Sequence, residues 1–352
     1  MLRGLVVTVL ALLALAPQNA RADEGEGVRF GPKGKNGIEI TSATNPPRFV
    51  SIDPPAPTQV APFLLPDLAH PRTDLHLDQI FGWLSPSPVI GGRTSSFAAI
   101  VRPAFETNIR NRKLYLGFMY PIGMALPPDG GLVPGEAGRP GGMHTVLGNV
   151  EAHVRANFSL PMNLETGFVL GVVAPTATFD RTARSNVSIG SAIGSLDPTN
   201  AVHFEPGRVA LRPAADVRIR RGILTVQVRH GLDIIIDDDG IESARIAGRL
   251  LGHVGVLVRP GLELSLEASQ IYYFASDEAR SGTAPADVFA NTYRITDAHR
   301  AAFNYGPAIR YATRGLDIGG ALIVSAGDPL SPVADRLIGF RLSFAAHVGR
   351  TR

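Results

Sequence analysis

The chain has 352 residues, with 34 lysine and arginine residues against 31 aspartate and glutamate residues, and no cysteine. The missing cysteine excludes disulfides, thiolate catalysis and cysteine-ligated metals. The near balance of charge argues against a basic body that would bind nucleic acid. After the N-terminal segment, no apolar run reaches the ~20 residues that a membrane-spanning helix needs.

The N-terminus has the pattern of a secretory signal peptide. Arg3 supplies a positive charge, and residues 5–16 are almost entirely apolar. Small residues flank Arg21 where a signal peptidase cleaves, which predicts cleavage before Asp23. The apolar run is shorter than the ~20 residues of a membrane anchor. We therefore expect residues 1–22 to be removed after export.

Residues 23–72 differ in composition from the rest of the mature chain, because prolines recur through them. Proline fixes φ and lacks the backbone N–H, so such a segment forms neither a regular helix nor a regular sheet. We interpret it as an extended periplasmic arm. A plug inside the C-terminal domain is the alternative, and in either case residues 73–352 form the main domain.

From residue 73 onward the sequence alternates with a period of two. In residues 146–160 the even positions are apolar, among them Val146 and Val154, while the odd positions carry Glu151 and Arg155. Successive side chains of a strand point to opposite faces, so one face is apolar and the other is charged.

Twelve segments show this alternation. They cover residues 73–84, 97–109, 114–124, 146–160, 164–174, 209–219, 224–236, 244–258, 262–274, 301–311, 316–324 and 338–348. Most are about twice as long as the ~5–6 residues that are typical of soluble strands, which argues against a secreted β-sandwich. A membrane-spanning strand needs ~9–11 residues.

The connections between these segments alternate in length. Short turns are expected at residues 110–113, 159–163, 220–222, 259–261 and 312–315, and the longest loops at residues 127–144, 180–205 and 276–300. Short turns at one end and long loops at the other are typical of outer-membrane barrels, with the short side in the periplasm. We therefore predict an all-β, antiparallel transmembrane β-barrel of twelve strands with both termini periplasmic.

In such a barrel the apolar face contacts lipid, so the charged face lines the interior. The predicted inner face carries Arg102, Arg155, Arg208, Arg212, Arg218, Arg229, Arg245, Arg249, Arg310 and Arg341, with Glu106, Glu151, Glu165, Asp216, Asp233, Glu263, Glu267 and Asp317. Arginine stays charged and binds carboxylates and phosphates in bidentate fashion. The excess of arginine predicts a water-filled path that favours anions, and the alternative is an interior held together by arginine–carboxylate pairs.

Two pairings are predicted by counting residues across the turns. Arg310 should face Asp317, and His253 should lie opposite Glu267, with Ser265 and Ser269 as its diagonal neighbours. A serine, a histidine and a carboxylate are the groups that a hydrolase needs. His253 points inward, however, away from arriving lipid, so a histidine–glutamate pair in a polar interior is the preferred interpretation.

The segment Gly339-Phe340-Arg341-Leu342-Ser343-Phe344 resembles the C-terminal assembly signal of bacterial outer-membrane barrel proteins, although Leu337 stands at a usually polar position and the chain continues for eight residues. The domain as a whole is similar to porin-like and small-molecule transporter barrels. This resemblance implies a Gram-negative outer-membrane location, contact with outer-membrane lipid and insertion by the barrel-assembly machinery.

These observations lead to one functional hypothesis and two alternatives. We expect an outer-membrane channel or transporter that passes small anionic solutes through an arginine-lined lumen, with no enzymatic activity, cofactor, metal or nucleic-acid partner. The alternatives are a structural or surface-exposed barrel without transport, suggested by long loops such as residues 180–205, and a barrel-embedded hydrolase built on His253 and Glu267. The sequence does not indicate the substrate or the oligomeric state.

Overall fold

The computed structural model describes residues 73–86, 95–109, 114–126, 142–161, 163–177, 184–237, 240–274, 301–313, 315–326 and 334–348. The predicted signal peptide at residues 1–22 and the predicted arm or plug at residues 23–72 lie outside the described residues. So do the predicted turn at residues 110–113 and almost all of the predicted loops at residues 127–144 and 276–300.

Fourteen strand segments form one continuous antiparallel sheet. In chain order they are β1 (Thr73–Pro86), β2 (Ser96–Asn108), β3 (Leu114–Met119), β4 (Ile122–Leu126), β5 (His144–Leu147), β6 (Val150–Leu160), β7 (Leu164–Ala174), β8 (Arg208–Arg221), β9 (Leu224–Asp237), β10 (Gly240–Arg259), β11 (Leu262–Tyr273), β12 (Ala301–Ala312), β13 (Leu316–Ala326) and β14 (Ala334–Val348). Between β7 and β8 lie helix α1 (Arg184–Ser195) and a 3-10 helix (Pro198–Phe204).

The sheet closes into a barrel because β1 pairs with both β2 and β14. The β1–β14 seam runs from Thr73 opposite Val348 to Pro86 opposite Ala334. Both β3 and β4 pair with β2, and they form one barrel strand, while β5 and β6 form another. The fourteen segments therefore make a closed barrel of twelve strands, which confirms the predicted fold class.

The two faces of the wall have the predicted polarity. Large apolar side chains are exposed on the outside, among them Leu75, Phe105, Leu116, Val154, Leu170, Val217, Val228, Leu250, Leu264, Ile309, Ile318 and Phe344. Inward positions on the same strands are buried and many are charged. An apolar band on the outside and polar residues within are the arrangement of a barrel surrounded by lipid.

One predicted face was wrong, at the junction of β5 and β6. Val146 was expected on the outer face together with Val154, but Val146 is buried inside the barrel. The register explains the difference, because Ile122 lies opposite Leu147 whereas Met119 lies opposite Glu151. One extra residue at this junction is a β-bulge, and an insertion of one residue moves every preceding side chain to the other face.

The predicted loop at residues 180–205 was expected among the long loops at one end of the barrel, but its described part turns into the barrel. Residues 184–205, which we call the inward segment, contain α1 and the 3-10 helix, and every side chain described from Ile189 to Thr199 is buried. In the part of the chain that the structure describes, no helix is long and apolar enough to cross a lipid bilayer.

Apolar contacts explain the position of the inward segment. Ile193 and Leu196 belong to one buried cluster with inward side chains from eight strand segments: Ile80, Leu84, Ala98, Ile100, Ala125, Val146, Ala247, Ile271, Ala302, Ala334 and Leu337. Val202 joins a second cluster with wall residues of β7, β8 and β9. The segment therefore contacts the inner wall around most of its circumference.

Two glycines of the wall make room for these side chains. A Cβ at Gly123 would lie 2.6 Å from Cγ2 of Ile193, and a Cβ at Gly82 would lie 2.9 Å from Cδ2 of Leu196. Real Cβ atoms do not approach other heavy atoms so closely, so a side chain at either position would force the neighbouring side chains to shift.

Candidate functional site

The structure places the predicted inner-face residues inside the barrel. Arg102, Arg155, Arg212, Arg218, Arg249, Arg310, Arg341, Glu151, Asp216, Asp233, Glu263, Glu267 and Asp317 are buried there, and Glu106, Glu165, Arg208 and Arg229 are partly buried. The side chain of Arg245 lies outside the described part. That these residues line a conducting pore stays a prediction.

Most of these arginines contact a carboxylate. Nη2 of Arg229 lies 2.8 Å from Asp216, Nη2 of Arg341 lies 2.5 Å from Asp78, and Nε of Arg218 donates to Glu165 at 2.5 Å. Arg155 forms an ion pair with Glu106 and lies over the ring of Tyr115 at 4.1 Å. Most of the described arginines are thus held in ion pairs, as the alternative interpretation of the inner face predicted.

The largest ionic network joins the wall to the inward segment. Nε of Arg212 lies 3.0 Å and Nε of Arg249 lies 2.6 Å from the same oxygen of Asp233. Arg212 also donates to Glu151, and through Nη2 it donates to the carbonyl oxygen of Thr199 at 2.8 Å. Because Thr199 belongs to the 3-10 helix, Arg212 ties the segment to β8.

His203 extends this network from the 3-10 helix. Its Nε2 lies 2.8 Å from Oε2 of Glu151 and 3.2 Å from Nη1 of Arg212. Burial lowers the pKa of His203, and although the hydrogen bond to Glu151 acts in the opposite direction, the pKa stays below its ordinary value. The position of the segment inside the barrel therefore disfavours the protonated imidazole.

Asp197 is the second ionic anchor, between α1 and the 3-10 helix. Nη2 of Arg102 donates to its Oδ2 at 2.5 Å, and Thr199 and Asn200 donate to the same carboxylate at 2.7 and 3.0 Å. Burial raises the pKa of Asp197, but the charges of Arg102 and Arg341 outweigh burial and hold the pKa well below its ordinary value. The carboxylate is ionised.

Asn149, at the bulge, is the third anchor. Its Nδ2 donates to the carbonyl oxygens of Val202 at 3.0 Å and Glu205 at 2.6 Å, and its Oδ1 accepts from the backbone N–H of Ala177 at 2.9 Å. The backbone N–H of Asn149 donates to the carbonyl oxygen of His203. A bulge re-aims side chains, and here it aims Asn149 at the end of the inward segment.

One predicted cross-strand pairing is confirmed and the other is wrong. His253 lies opposite Glu267 as predicted, with Nδ1 3.1 Å from Oε1. Asp317, however, faces Ala312, and Arg310 faces Gly319, because the β12–β13 register is shifted by two residues from the predicted one. Arg310 still reaches Asp317 diagonally, at 3.6 Å.

The His253 cluster argues against the hydrolase alternative. Nε2 of His253 lies 3.0 Å from Glu263, while Nδ1 faces Glu267. Both ring nitrogens therefore face carboxylates, and neither is aimed at a serine hydroxyl that it would have to deprotonate. His253 is 1% exposed, inside the barrel, where a lipid ester in the membrane does not reach it.

The inner face is less basic than the sequence predicted. The structure adds Asp74, Asp78 and Asp197 to the predicted inner-face carboxylates. Among the described residues the inner-face arginines therefore no longer outnumber the carboxylates. Asp74 and Asp78 alternate with His76 on the inward face of β1, and this alternation was readable in the sequence.

The inward segment itself was missed, although two sequence signals indicated it. Inward positions such as Ile80, Ile100 and Ile271 are apolar, which a water-filled lumen would not favour. Ile193 and Leu196 have helical spacing inside a predicted loop. Together these features indicate an apolar inner wall covered by an apolar helix face.

A small cavity lies beside the inward segment. Its volume is about 30 Å³, and its lining includes Leu196, Asp197, Arg341, Ile80 and Asn304. This is room for a few water molecules. In the described state the inward segment and the paired arginines occupy the interior at this level.

The fold is that of a porin-like outer-membrane β-barrel. A solved outer-membrane channel from Pseudomonas putida F1 is 15% identical, with a TM-score of 0.56, covering 82% of this chain and all of that one. The NanC porin is 10% identical, with a TM-score of 0.42, covering 77% of this chain and 100% of that one. The KdgM porin, solved with disordered oligogalacturonate, is 8% identical with a TM-score of 0.38, covering 79% and 99%.

No protein-family model matches the chain, and no curated protein matches it. Because the Pseudomonas channel is only 15% identical to this chain, its similarity shows a common fold and nothing more. Together with the apolar outer band, it supports an outer-membrane location.

Proposed function

We propose that the protein is a gated outer-membrane channel for small solutes, and that the inward segment is its gate. The observation that carries this proposal is which part of the chain fills the interior of the barrel. Between β7 and β8 a loop segment, and not the wall alone, fills the interior. A barrel whose wall surrounds a removable segment has a path once that segment moves.

The composition of α1 supports its mobility. Its sequence, RSNVSIGSAIGS, contains two glycines and four serines. Glycine inside a helix costs ~1 kcal/mol relative to alanine, and serine favours caps and turns. The helix therefore depends on its contacts with the wall, and it loses its main support when it leaves them.

The polar anchors also suit a gate. Buried ion pairs such as Arg102–Asp197 contribute little net stability, because desolvation offsets the attraction between the charges. They do, however, fix one position of the segment, since a shifted segment would leave buried charges unpaired. A closed state that is specific but only moderately stable is what a gate requires.

We propose anions as the preferred solutes, but only for the open state. In the closed state Arg102 is neutralised by Asp197, which belongs to the inward segment. When the segment withdraws, Asp197 leaves with it, and the positive charge of Arg102 faces the path. The predicted arginine-lined lumen would then apply to this level of the barrel.

The proposal includes the remaining expectations from the sequence. The chain is exported by its signal peptide, inserted by the barrel-assembly machinery, and surrounded by outer-membrane lipid along the apolar outer band. The fold that it shares with the Pseudomonas channel also supports this role.

A barrel without transport is the second candidate. The apolar clusters around Ile193 and Val202 favour this second candidate. They pack the inward segment against the wall in the way that the hydrophobic core of a protein is packed. In that case the segment never leaves, and it serves to stabilise the barrel.

Planar-bilayer conductance of the purified protein separates the two candidates. The wild type is compared with a variant in which a short Gly-Ser linker replaces residues 184–204. The proposal predicts brief openings for the wild type and steady conductance for the variant. Insertion of the variant without conductance would overturn the proposal and support the second candidate. Resistance of the barrel to SDS at room temperature shows that the variant has folded.

A further inference from the structure

Three charged side chains adjoin one another on the inner wall near the cavity. Asp78 on β1 lies directly opposite Arg102 on β2, and it pairs with Arg341 on β14 at 2.5 Å. Asp197 of the inward segment reaches the same group through Arg102. The four charges cancel only while the inward segment is in place.

The two arginines are not fully used by these contacts. Nε of Arg102, and Nε and Nη1 of Arg341, are buried without a hydrogen-bond partner among the described residues. The two residues are 3% and 5% exposed. A guanidinium offers five N–H donors, and a buried donor left unpaired is destabilising. The site therefore has more donors than its own carboxylates satisfy.

The neighbouring wall is apolar on one side. Ile80 and Leu196 line the cavity together with Arg341. Ile100 and Leu337 belong to the cluster that holds Ile193. If the inward segment withdraws, the wall positions form an apolar seat directly beside the arginines.

We propose that Arg102, Arg341 and this apolar seat form a binding subsite for small amphiphilic carboxylates, and that the inward segment is its internal competitor. Leu196 and Asp197 present an apolar side chain next to a carboxylate, which are the same two chemical groups that an amphiphilic carboxylate would present. The subsite gives the proposed channel a substrate class, and it rests on that function because a ligand enters only when the segment moves.

The charge balance selects a monoanion. Without Asp197, Arg102 and Arg341 carry two positive charges against the negative charge of Asp78. Glu267 also lines the cavity, but its carboxylate is paired with His253. One net positive charge remains, which a carboxylate neutralises and a phosphate dianion would exceed. Two parallel N–H donors of a guanidinium also match the two oxygens of a carboxylate.

Ligand-observed ¹⁹F NMR on the purified full-length protein tests this subsite. The probe is 4-fluorobenzoate, which has a compact apolar ring and one carboxylate, and 4-fluorobenzyl alcohol is the neutral control. We expect the acid to bind and the alcohol to bind at least about tenfold more weakly, because a hydrogen bond to a charged group is stronger than one to a neutral group.

Three variants identify the site. Asp197→Asn weakens the internal competitor, so the affinity for 4-fluorobenzoate should rise about tenfold, a change of ~1.4 kcal/mol. Arg102→Gln should abolish binding. Arg336→Gln is the matched control, since Arg336 is 79% exposed and outside the subsite, and its affinity should equal that of the wild type.

Equal binding of the acid and the alcohol, or unchanged binding by Arg102→Gln, would overturn the proposal. If the folded Asp197→Asn variant does not bind 4-fluorobenzoate, the proposal is overturned as well. Conductance distinguishes this failure from failure of the channel function. Suppose that the variant without the inward segment conducts but does not bind the carboxylate. The channel function is then supported and the subsite proposal is contradicted.

Discussion

Arg102 and Asp197 are 95 positions apart in sequence, and their side chains meet inside the barrel at 2.5 Å. The arginine belongs to the wall and the aspartate to the inward segment. This contact therefore joins the fixed and the proposed moving parts of the molecule, and it makes the charge of the path depend on the position of the segment.

Breaking this ion pair from one side should open the channel. In Asp197→Asn the charge of Arg102 stays buried without its counter-ion in the closed state, and such losses cost about 3–5 kcal/mol. We expect the open-to-closed ratio in planar bilayers to rise at least tenfold, which requires only ~1.4 kcal/mol. Asp335→Asn, at a more exposed carboxylate, should leave the ratio unchanged.

The double variant Arg102→Gln/Asp197→Asn is the internal check on this interpretation. It removes both charges, so no uncompensated charge remains in the closed state, and the ratio should return toward that of the wild type. An effect of the double variant equal to the sum of the two single effects would show that the residues are not coupled.

Truncating Asn149 should loosen the end of the inward segment. Asn149→Ala removes the side-chain hydrogen bonds to Val202, Glu205 and Ala177. Buried groups left unpaired cost about 1–3 kcal/mol each. We expect amide hydrogen exchange in residues 198–205 to become at least tenfold faster than in the wild type. Thr145→Ala, on an exposed side chain of the same barrel strand, should leave that exchange unchanged.

Acidification should favour opening through His203. Burial keeps the pKa of His203 below its ordinary value in the closed state, and its Nδ1 has no hydrogen-bond partner among the described residues. The open state therefore binds the proton more readily, starting near the ordinary pKa of ~6.5. The stability of the closed state falls as the pH falls through that value.

Glu151 and Arg212, the charged groups that face His203, belong to the wall and do not move with the segment. Asp197 acts in the same direction but only below the ordinary pKa of ~4, where it would begin to take up a proton in the open state. Open probability should therefore rise between pH 7 and pH 5. In His203→Gln this rise should disappear, and an unchanged profile would contradict the assignment.

The charge selectivity of the open path should depend on Arg102. In the background of Asp197→Asn, we expect the reversal potential in a KCl gradient to indicate anion preference. Arg102→Glu in the same background should shift it toward cations, whereas Arg336→Glu should not. Arg212 and Arg249 are less suitable for this test, because both contact Asp233. A glutamate in place of either arginine would repel the carboxylate of Asp233.

Sequence periodicity was sufficient to predict the wall. Alternation is strict in segments such as residues 209–219 because lipid contacts one face and the interior the other, so each residue is constrained by its side. The twelve strands, their order and the inward placement of residues such as Arg155 and Asp216 were predictable from that constraint.

Features that depend on contacts distant in sequence could not be predicted in the same way. The face of Val146 depends on a bulge that adds one residue, and periodicity within one strand does not locate the insertion.

The inward segment forms a helix from glycine and serine because Ile193 and Leu196 contact Gly123 and Gly82 on other strands. The partner of Arg102 was missed for the same reason, since Asp197 was expected in an exposed loop.

The central claim is that the inward segment must move for solutes to pass, and a reversible crosslink tests it most directly. The chain has no cysteine, and a Cβ at Gly123 would lie 2.6 Å from Cγ2 of Ile193, so the pair Gly123→Cys/Ile193→Cys is within reach of a disulfide. Single-channel conductance is then measured under oxidising and reducing conditions, with each single cysteine variant as control. The account predicts that oxidation abolishes the openings of the double variant alone and that reduction restores them. Openings that persist in the fully crosslinked protein would contradict it.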